Sequence, residues 1–122
     1  MIYQIGMLCK HFKGENLLEK NIYRIEKIGV NGKDIDETII TYTGDGELAS
    51  AKDLIVYSNI FQENKIFARE YSDISGELSK EKQEIYNQKI KVQPLTPEEI
   101  DEINNADYIT AKKKLVLSKF KK

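Results

Sequence analysis

The chain changes its chemical character at about residue 75, and this change constrains the fold more than any other feature of the sequence. Residues 1–74 hold most of the Ile, Tyr and Thr of the chain, which favour strands, whereas Glu, Lys, Gln and Leu, which favour helices, are prominent afterwards. The sequence therefore predicts an α+β fold. An N-terminal antiparallel β-sheet over about 1–74 is followed by a mainly helical part over 75–122. At 122 residues the whole chain fits a single domain, 1–122.

Five short strands are predicted in the N-terminal part, over 2–9, 21–30, 37–43, 53–61 and 65–71. Asn31-Gly32 supplies the positive φ angles of a tight turn, which predicts a hairpin between the second and third strands. The polar interval 62–64 is short enough to predict another hairpin between the fourth and fifth strands.

Helix signals follow in the second part. Thr96-Pro97-Glu98-Glu99 combines a threonine cap, a proline in the first turn and a glutamate at the third position, which predicts a helix beginning at Pro97. A weaker helix is predicted over 79–88. Asp107 is a candidate cap for a last helix, over 108–120.

The last helix carries an apolar stripe of Ile109, Val116 and Phe120 at helical spacing. This stripe can bury against the sheet of its own chain, or it can pack on a second copy, because a terminal helix is easily exchanged. In either case we expect a homo-oligomer.

Charge and hydropathy favour a cytoplasmic protein. The chain has no apolar run long enough to cross a membrane, and its single cysteine, Cys9, fits a reducing compartment. The segment 112–122 carries six lysines and no acid, so it is a candidate nucleic-acid contact. A solvated helix with a basic C-terminal end explains the same pattern and is favoured, so no nucleic-acid partner and no membrane partner are expected.

The sequence offers no set of residues that would make an enzyme. It contains one histidine, His11, and neither a phosphate-binding glycine loop nor a glycine-flanked serine. No spacing typical of a metal site is present. We therefore predict a protein that is not an enzyme and that has no cofactor and no metal.

The predicted hairpin over 53–71 carries the clearest candidate binding residues. Alternation places Tyr57, Asn59 and Phe61 on one side of its first strand and Phe67, Arg69 and Tyr71 on one side of its second. Rings offer a stacking surface and arginine a bidentate grip on phosphate, which together suit a nucleotide. The competing interpretation is that these rings are core and that the arginine forms an edge ion pair. Sequence does not fix whether the two sets share a face.

Two further features bear on an anionic ligand. The chain has 17 lysines but only two arginines, Arg24 and Arg69, and both fall in predicted strands. In His11-Phe12-Lys13-Gly14, the side chains of His11 and Lys13 can present donors to an anion. Equally, this segment can be a structural turn with Phe12 in the core.

Four short motifs resemble, in order, the hallmarks of a bacterial domain family of unknown function that has an HFKG turn and a small SH3-like β-roll. The resemblance spans about residues 6–74 and rests on His11-Phe12-Lys13-Gly14, Ile22-Tyr23-Arg24-Ile25, Leu54-Ile55-Val56-Tyr57 and Ile66-Phe67-Ala68-Arg69.

In size and architecture the chain also resembles the phage proteins of the anti-Thoeris family. That resemblance implies a sponge that binds a cyclic ADP-ribose signal without cleaving it and so inhibits a TIR-based antiphage defence. It also implies an oligomer in the host cytoplasm. The predicted ligand-binding residues are then Arg69, Arg24, Phe61, Phe67, Tyr71, Asn59, His11 and Lys13. The alternative is an SH3-like protein-interaction module without a nucleotide ligand.

Overall fold

The computed structural model describes residues 2–29, 53–62 and 65–120. Its strands are β1 (Leu8–His11), β2 (Ile22–Gly29), β3 (Leu54–Asn59), β4 (Ile66–Glu70) and β5 (Val92–Pro94). They form one antiparallel sheet in the order β4-β3-β2-β1-β5. The helices are α1 (Tyr71–Ile74), α2 (Lys80–Tyr86), α3 (Pro97–Ile103) and α4 (Ala106–Phe120), with a 3-10 turn over Leu17–Glu19.

The predicted α+β architecture is confirmed, because a largely N-terminal antiparallel sheet precedes C-terminal helices. Four predicted strands correspond to β1 to β4, and the predicted second hairpin is the β3–β4 pair. The predicted strand over 37–43 and its Asn31-Gly32 turn lie outside the described residues. Tyr71, expected to end the last strand, instead begins α1.

The prediction of a mainly helical part over 75–122 missed β5. This strand has only three residues and contains Pro94, which pairs with Cys9 of β1 at the edge of the described sheet. Proline lacks the N–H that a central strand must donate, so its presence in sequence argues against a strand. Only the tertiary fold, which returns the chain to β1 after α2, shows that this proline sits at an edge.

The helix starts follow local capping chemistry. Thr96 Oγ1 accepts from the Glu99 N–H at 3.2 Å, and Glu99 Oε1 accepts from the Thr96 N–H at 3.0 Å, so the predicted capping box is confirmed. Ser79 caps α2 by accepting from the Lys82 N–H. The cap predicted at Asp107 was wrong by two residues, since Asn105 Oδ1 accepts from the Asp107 N–H at 2.9 Å.

Two apolar clusters lie on opposite sides of the sheet. The tyrosine face is built on Cys9, Tyr23, Ile25, Ile55, Tyr57 and Val92, and is covered by Tyr3 and Ile74. The helical face contains Ile22, with Leu8 and Ile60 beside it, and is covered by Ile103 of α3 and Tyr108 of α4. Successive strand residues point to opposite sides, so β1 and β2 each contribute to both clusters.

Candidate aromatic and arginine site on the tyrosine face

The register of the β3–β4 hairpin brings the predicted aromatic and basic side chains to one face. Tyr57 pairs with Phe67, and Ile55 pairs with Arg69. Residues directly opposite each other in an antiparallel pair share a face. The alternating side that carries Tyr57 and Asn59 on β3 therefore coincides with the side that carries Phe67 and Arg69 on β4, which was the point that sequence left open.

Three rings form a compact group on this face. The Tyr57 and Phe67 rings stack with centroids 5.4 Å apart and planes 22° apart. The Tyr23 ring lies 4.7 Å from Tyr57 and 5.7 Å from Phe67. The Arg69 guanidinium carbon lies 5.9 Å from the centre of the Phe67 ring, within the distance of a cation–π contact.

Burial divides this group into a core part and an accessible part. Tyr23 and Tyr57 are only 6% and 5% exposed, so they belong to the core. Phe67 is half-buried and Arg69 is exposed. The interpretation of strand aromatics as core is thus correct for the tyrosines, whereas Phe67 and Arg69 form the surface that a ligand can reach.

Arg69 also shapes the electrostatics of the tyrosines. Burial raises the pKa of Tyr57 to about 12, with the charge of Tyr23 adding to the rise and that of Arg69 opposing it. Burial likewise raises the pKa of Tyr23, and a hydrogen bond with Asn21 and the charge of Arg69 oppose the rise. The two phenols stay protonated at neutral pH beside a permanent cation.

The Arg69 guanidinium retains hydrogen-bonding capacity. It donates from Nη1 to its neighbour's carbonyl, Ala68 O, at 3.1 Å. Within the described part of the chain no carboxylate lies at ion-pair distance from it. A guanidinium carries five N–H donors, so this group can contribute further donors to an anionic ligand.

Arg24 does not join Arg69. It pairs with Ser58 on one side and with Leu8 on the other, whereas Arg69 pairs with Ile55. Because Ser58 comes three positions after Ile55 on β3, an odd offset, the two arginines point to opposite sides of the sheet. The prediction that both grip one pyrophosphate is therefore wrong in its geometry.

Phe61 also lies apart from the tyrosine face. It follows the end of β3 and packs in the cluster of the helical face, 6.2 Å from the Tyr108 ring. The expected alternation stops at Asn59 because the chain turns there, with the Gln62 N–H donating to Asn59 O. The structure therefore does not bring Phe61 to Phe67.

Asn59 is on the tyrosine face, but its side chain is committed to the turn. It is 7% exposed, and its Oδ1 accepts from the Phe61 N–H at 2.9 Å. Its Nδ2 donates to Asn21 and Gln62 at 3.4 Å each. These contacts make it a structural residue of the β3–β4 turn.

Tyr71 lies on the tyrosine face at the start of α1. Its ring meets Tyr3 edge-on with centroids 5.7 Å apart, and its hydroxyl accepts from the Ile2 N–H at 3.3 Å. Tyr71 is half-buried and packs against the same cluster as Phe67. Of the predicted residues, Phe67, Arg69 and Tyr71 are thus the ones that share an accessible side.

His11 and Lys13 belong to a turn with internal contacts. His11 Nδ1 accepts from the Lys13 N–H at 3.3 Å. Phe12 is 8% exposed, and its ring lies 5.3 Å from that of Tyr86. Gly14 has a φ of +119°, and a Cβ there would come within 2.9 Å of the Glu19 carbonyl carbon. These contacts favour the structural interpretation of the turn.

Lys10, Lys20 and Lys112 are buried lysines of the described residues, and the sequence did not predict their burial. Lys10 is ion-paired with Glu99 at 2.6 Å. Lys20 Nζ donates to Phe12 O at 3.0 Å, to Tyr86 O at 2.8 Å and to Gln88 Oε1 at 3.1 Å. Lys112 Nζ donates to Leu18 O and Lys20 O. In a chain with 17 lysines nothing local distinguishes a lysine whose ammonium will meet carbonyls in the folded state.

Within 2–29, 53–62 and 65–120, no three His, Cys, Asp or Glu side chains are grouped so that they could hold a metal ion. None of the described helices is long and apolar enough to cross a membrane. An open cavity of about 400 Å³ lies beside the α3–α4 connection, lined by Leu18, Glu102, Asn105, Asp107, Tyr108 and Ala111.

Fold and site together define an α+β protein whose edge strand β4 presents an accessible ring and an arginine. No protein-family model, curated protein or solved structure was found to match the chain. The resemblances to the HFKG-motif family and to the anti-Thoeris family therefore stay predictions.

Proposed function

We propose that this chain is a non-catalytic protein that binds and sequesters a cyclic ADP-ribose-type signalling nucleotide. The observation that carries the proposal is the contact between the Arg69 guanidinium and the Phe67 ring, whose centre is 5.9 Å away, on the accessible part of the tyrosine face. Phe67 offers its ring to the adenine, and Arg69 donates hydrogen bonds to the pyrophosphate. Such a charge-assisted pair beside a stacking ring is a common basis of nucleotide binding.

The surroundings of this pair favour an anionic, planar ligand. The Arg69 guanidinium lies over the Phe67 ring, and its strand is paired with β3. Because this contact already restricts the arginine, less side-chain freedom is lost on binding than a free arginine would lose. Tyr71 lies on the same side of the sheet and is the second ring available for stacking. Arg24, Phe61, Asn59, His11 and Lys13 have no part in this revised site.

Retention without cleavage is what the proposed role requires. A sponge of this kind would act in the cytoplasm of the host cell, where it would keep a TIR-derived signal from its effector and so inhibit the defence. Its ligand must leave the protein unchanged, which distinguishes it from a hydrolase that uses the same contacts.

We also propose that the protein self-associates through α4. Ile109, Leu115 and Val116 are half-buried and belong to neither apolar cluster, and Leu117 is 59% exposed. The exposed Lys114 and Lys119 on α4 complement the exposed acids of α3 and of the start of α4, which are Glu98, Asp101, Glu102 and Asp107. Antiparallel packing of two α4 helices would cover the apolar residues and pair these charges.

The test is thermal unfolding of the pure protein with cyclic ADP-ribose isomers, cyclic di- and trinucleotides, NAD and ADP-ribose. A ligand at a hundred times its dissociation constant stabilises by about 2.7 kcal/mol, which raises the melting temperature by several degrees. We expect a cyclic ADP-ribose isomer to do so and to be recovered intact. A panel that leaves the melting temperature unchanged would refute the proposal, and recovery of a cleaved product would indicate an enzyme.

A protein-interaction module is the second candidate, and one observation favours it. Ile66, at the start of β4, is 65% exposed on the opposite side from Phe67. An apolar residue on an outer strand of the described sheet is suited to a peptide that adds a strand. This candidate predicts no nucleotide-dependent shift, and weaker capture of a protein partner by Ile66→Lys.

A further inference from the structure

The helix α4 is attached to the rest of the described chain mainly through its first half. Tyr108 Oη donates to Leu17 O at 3.1 Å, and its ring packs in the cluster of the helical face. One turn later Lys112 Nζ reaches two carbonyls of the same segment, Leu18 O and Lys20 O. The side chains that follow are half-buried or exposed through residue 119.

Lys112 is an unusual residue to find at the centre of such an attachment. It is 3% exposed, and its ammonium has no carboxylate at ion-pair distance among the described residues. Its surroundings are the two carbonyl oxygens and the Phe61 ring, whose centre is 5.9 Å away. A buried ammonium that hydrogen-bonds only to neutral groups keeps a net desolvation cost.

This desolvation cost exists only while α4 packs against the Leu17–Lys20 segment, which we call the docked position of the helix. When α4 leaves the Leu17–Lys20 segment, the ammonium of Lys112 regains water, whereas the sheet loses no backbone hydrogen bond between its strands. The buried ammonium of Lys20 is different, because it binds Phe12 O, Tyr86 O and Gln88 Oε1. Those partners lie directly after β1, on α2 and just after α2, and they do not depend on α4.

We propose that α4 is a strap that opens as a unit while the sheet stays folded, and that the buried ammonium of Lys112 sets how often it opens. An element held by one aromatic residue and one desolvated cation belongs to the low-stability end of a protein, where opening precedes global unfolding. Opening uncovers the apolar surface of the helical face around Ile22 and Phe61.

The charge state of Lys112 gives this strap a dependence on pH. Burial lowers the pKa of Lys112 to about 8, with the charge of Lys119 adding to the drop and that of Glu19 opposing it. Glu99 and Glu102 are the acidic side chains near Tyr108. Burial raises the pKa of Glu99, but the hydrogen bonds from Lys10 and Thr96 outweigh it and lower the pKa. Because the docked state prefers the neutral amine, raising the pH from 7 to 9 favours docking by about tenfold.

The experiment is hydrogen exchange of the full chain at pH 7 and pH 9, read by mass spectrometry on peptides from α4 and from β2 and β3. Rates are divided by the intrinsic rate at each pH. Labelling of Cys9, which is 0% exposed in the tyrosine face, measures global opening on the same samples. The variant is Lys112→Met, and its matched control is Lys113→Met, since Lys113 is the exposed neighbour.

We expect α4 amides to exchange faster than those of β2 and β3 and faster than global opening allows. The corrected α4 rate should fall about tenfold from pH 7 to pH 9 in wild type and in Lys113→Met, but not in Lys112→Met. Equal protection of α4 and the sheet would overturn the proposal, as would an unchanged pH dependence in Lys112→Met. If that variant does not fold, the wild-type rates still decide, since a pH-independent α4 rate contradicts the proposal.

Discussion

Lys10 on β1 and Glu99 on α3 form an ion pair in which Nζ and Oε2 are 2.6 Å apart. The same carboxylate closes the capping box through Oε1, which accepts from the Thr96 N–H. One side chain therefore both starts the helix and fixes it to the second strand from the edge of the described sheet. Burial works against ionisation, but the hydrogen bonds from Lys10 and Thr96 prevail and lower the pKa of Glu99.

Glu99→Gln should destabilise the protein by about 2 kcal/mol at neutral pH, because a charge-assisted hydrogen bond to a nearly buried lysine becomes a neutral one. Glu98→Gln, at an exposed position in the same turn, should change the free energy of unfolding by less than about 0.5 kcal/mol. Urea unfolding of the three proteins provides the comparison. Similar losses of stability in both variants would mean that the Lys10 contact adds nothing to the favourable interaction of any acidic side chain with the N-terminal end of a helix.

Gly6 and Gly14, the glycines with positive φ angles among the described residues, should differ in their tolerance of a side chain. Gly6→Ala meets open space at φ +88° and should cost about 1 kcal/mol, the strain of the left-handed region alone. Gly14→Ala, at φ +119°, also places a Cβ 2.9 Å from Glu19 backbone and should cost about 1–3 kcal/mol more. Thermal and urea unfolding measure both. Equal costs would show that the Gly14 contact relaxes freely.

His11 should make the protein less stable in mild acid. Burial lowers the pKa of His11, and the charges of Lys13, Lys20 and Lys91 lower it further. The unfolded chain therefore binds this proton more readily, so stability is full above pH 6.5 and falls as the pH drops through the folded-state pKa. His11→Asn keeps an acceptor for the Lys13 N–H and removes the titration.

Unfolding free energies of the two proteins at pH 7.5, 6.5 and 5.5 test this sign. The gap between wild type and His11→Asn should move in favour of the variant as the pH falls. A constant gap over this range would mean that His11 titrates in the folded state as it does in the unfolded chain.

The two arginines provide a matched pair for the proposed nucleotide site. Arg69→Ala should weaken nucleotide binding at least tenfold, the loss of a charge-assisted hydrogen bond, with a change in stability below about 0.5 kcal/mol. Arg24→Ala removes the same charge from the opposite face and should leave affinity unchanged. Calorimetric titration at fixed ionic strength measures both. Equal weakening would indicate attraction by net charge, and unfolding of Arg69→Ala would make this arginine structural.

Self-association through α4 should depend on its apolar side. Val116→Glu should convert an oligomer into a species of 14.1 kDa, because it places a charge among apolar residues. Ser118→Glu, an exposed position about 200° around the helix from Val116, should leave the mass unchanged. Sedimentation velocity distinguishes the two. A wild-type chain that sediments as a monomer at all concentrations would refute the interface.

Features coded by adjacent residues were predictable from sequence. The capping box at Thr96 needs only residues 96 to 99, and the β3–β4 hairpin needs only two apolar runs around a short polar interval. The α+β division at about residue 75 follows from propensity summed over long segments. Local chemistry explains each of these without reference to the rest of the chain.

The candidate site was predictable only in part. Alternation divides the residues of a strand between two faces, but it does not show which face of the neighbouring strand lies beside each of them. Phe67 and Arg69 were found by alternation, but the separation of Arg24 and Phe61 from them needed the register of β2 with β3 and the turn after Asn59. A shift of one residue in the register of β2 with β3 would have moved Arg24 to the other side of the sheet.

The sequence by itself determined where α3 is capped, where the β3–β4 hairpin turns and which strand residues alternate, since those depend on neighbours within a few positions. The tertiary structure decided that β5 pairs with β1, that Tyr57 faces Phe67, and that Lys20 and Lys112 are buried against carbonyl oxygens. The physical reason is that the β1–β5 pairing and the Lys112 contacts join groups far apart in the chain, and that alternation does not fix the register that pairs Tyr57 with Phe67. The stability of a side chain in such a contact depends on the residue that it meets, and only the folded chain brings the two together.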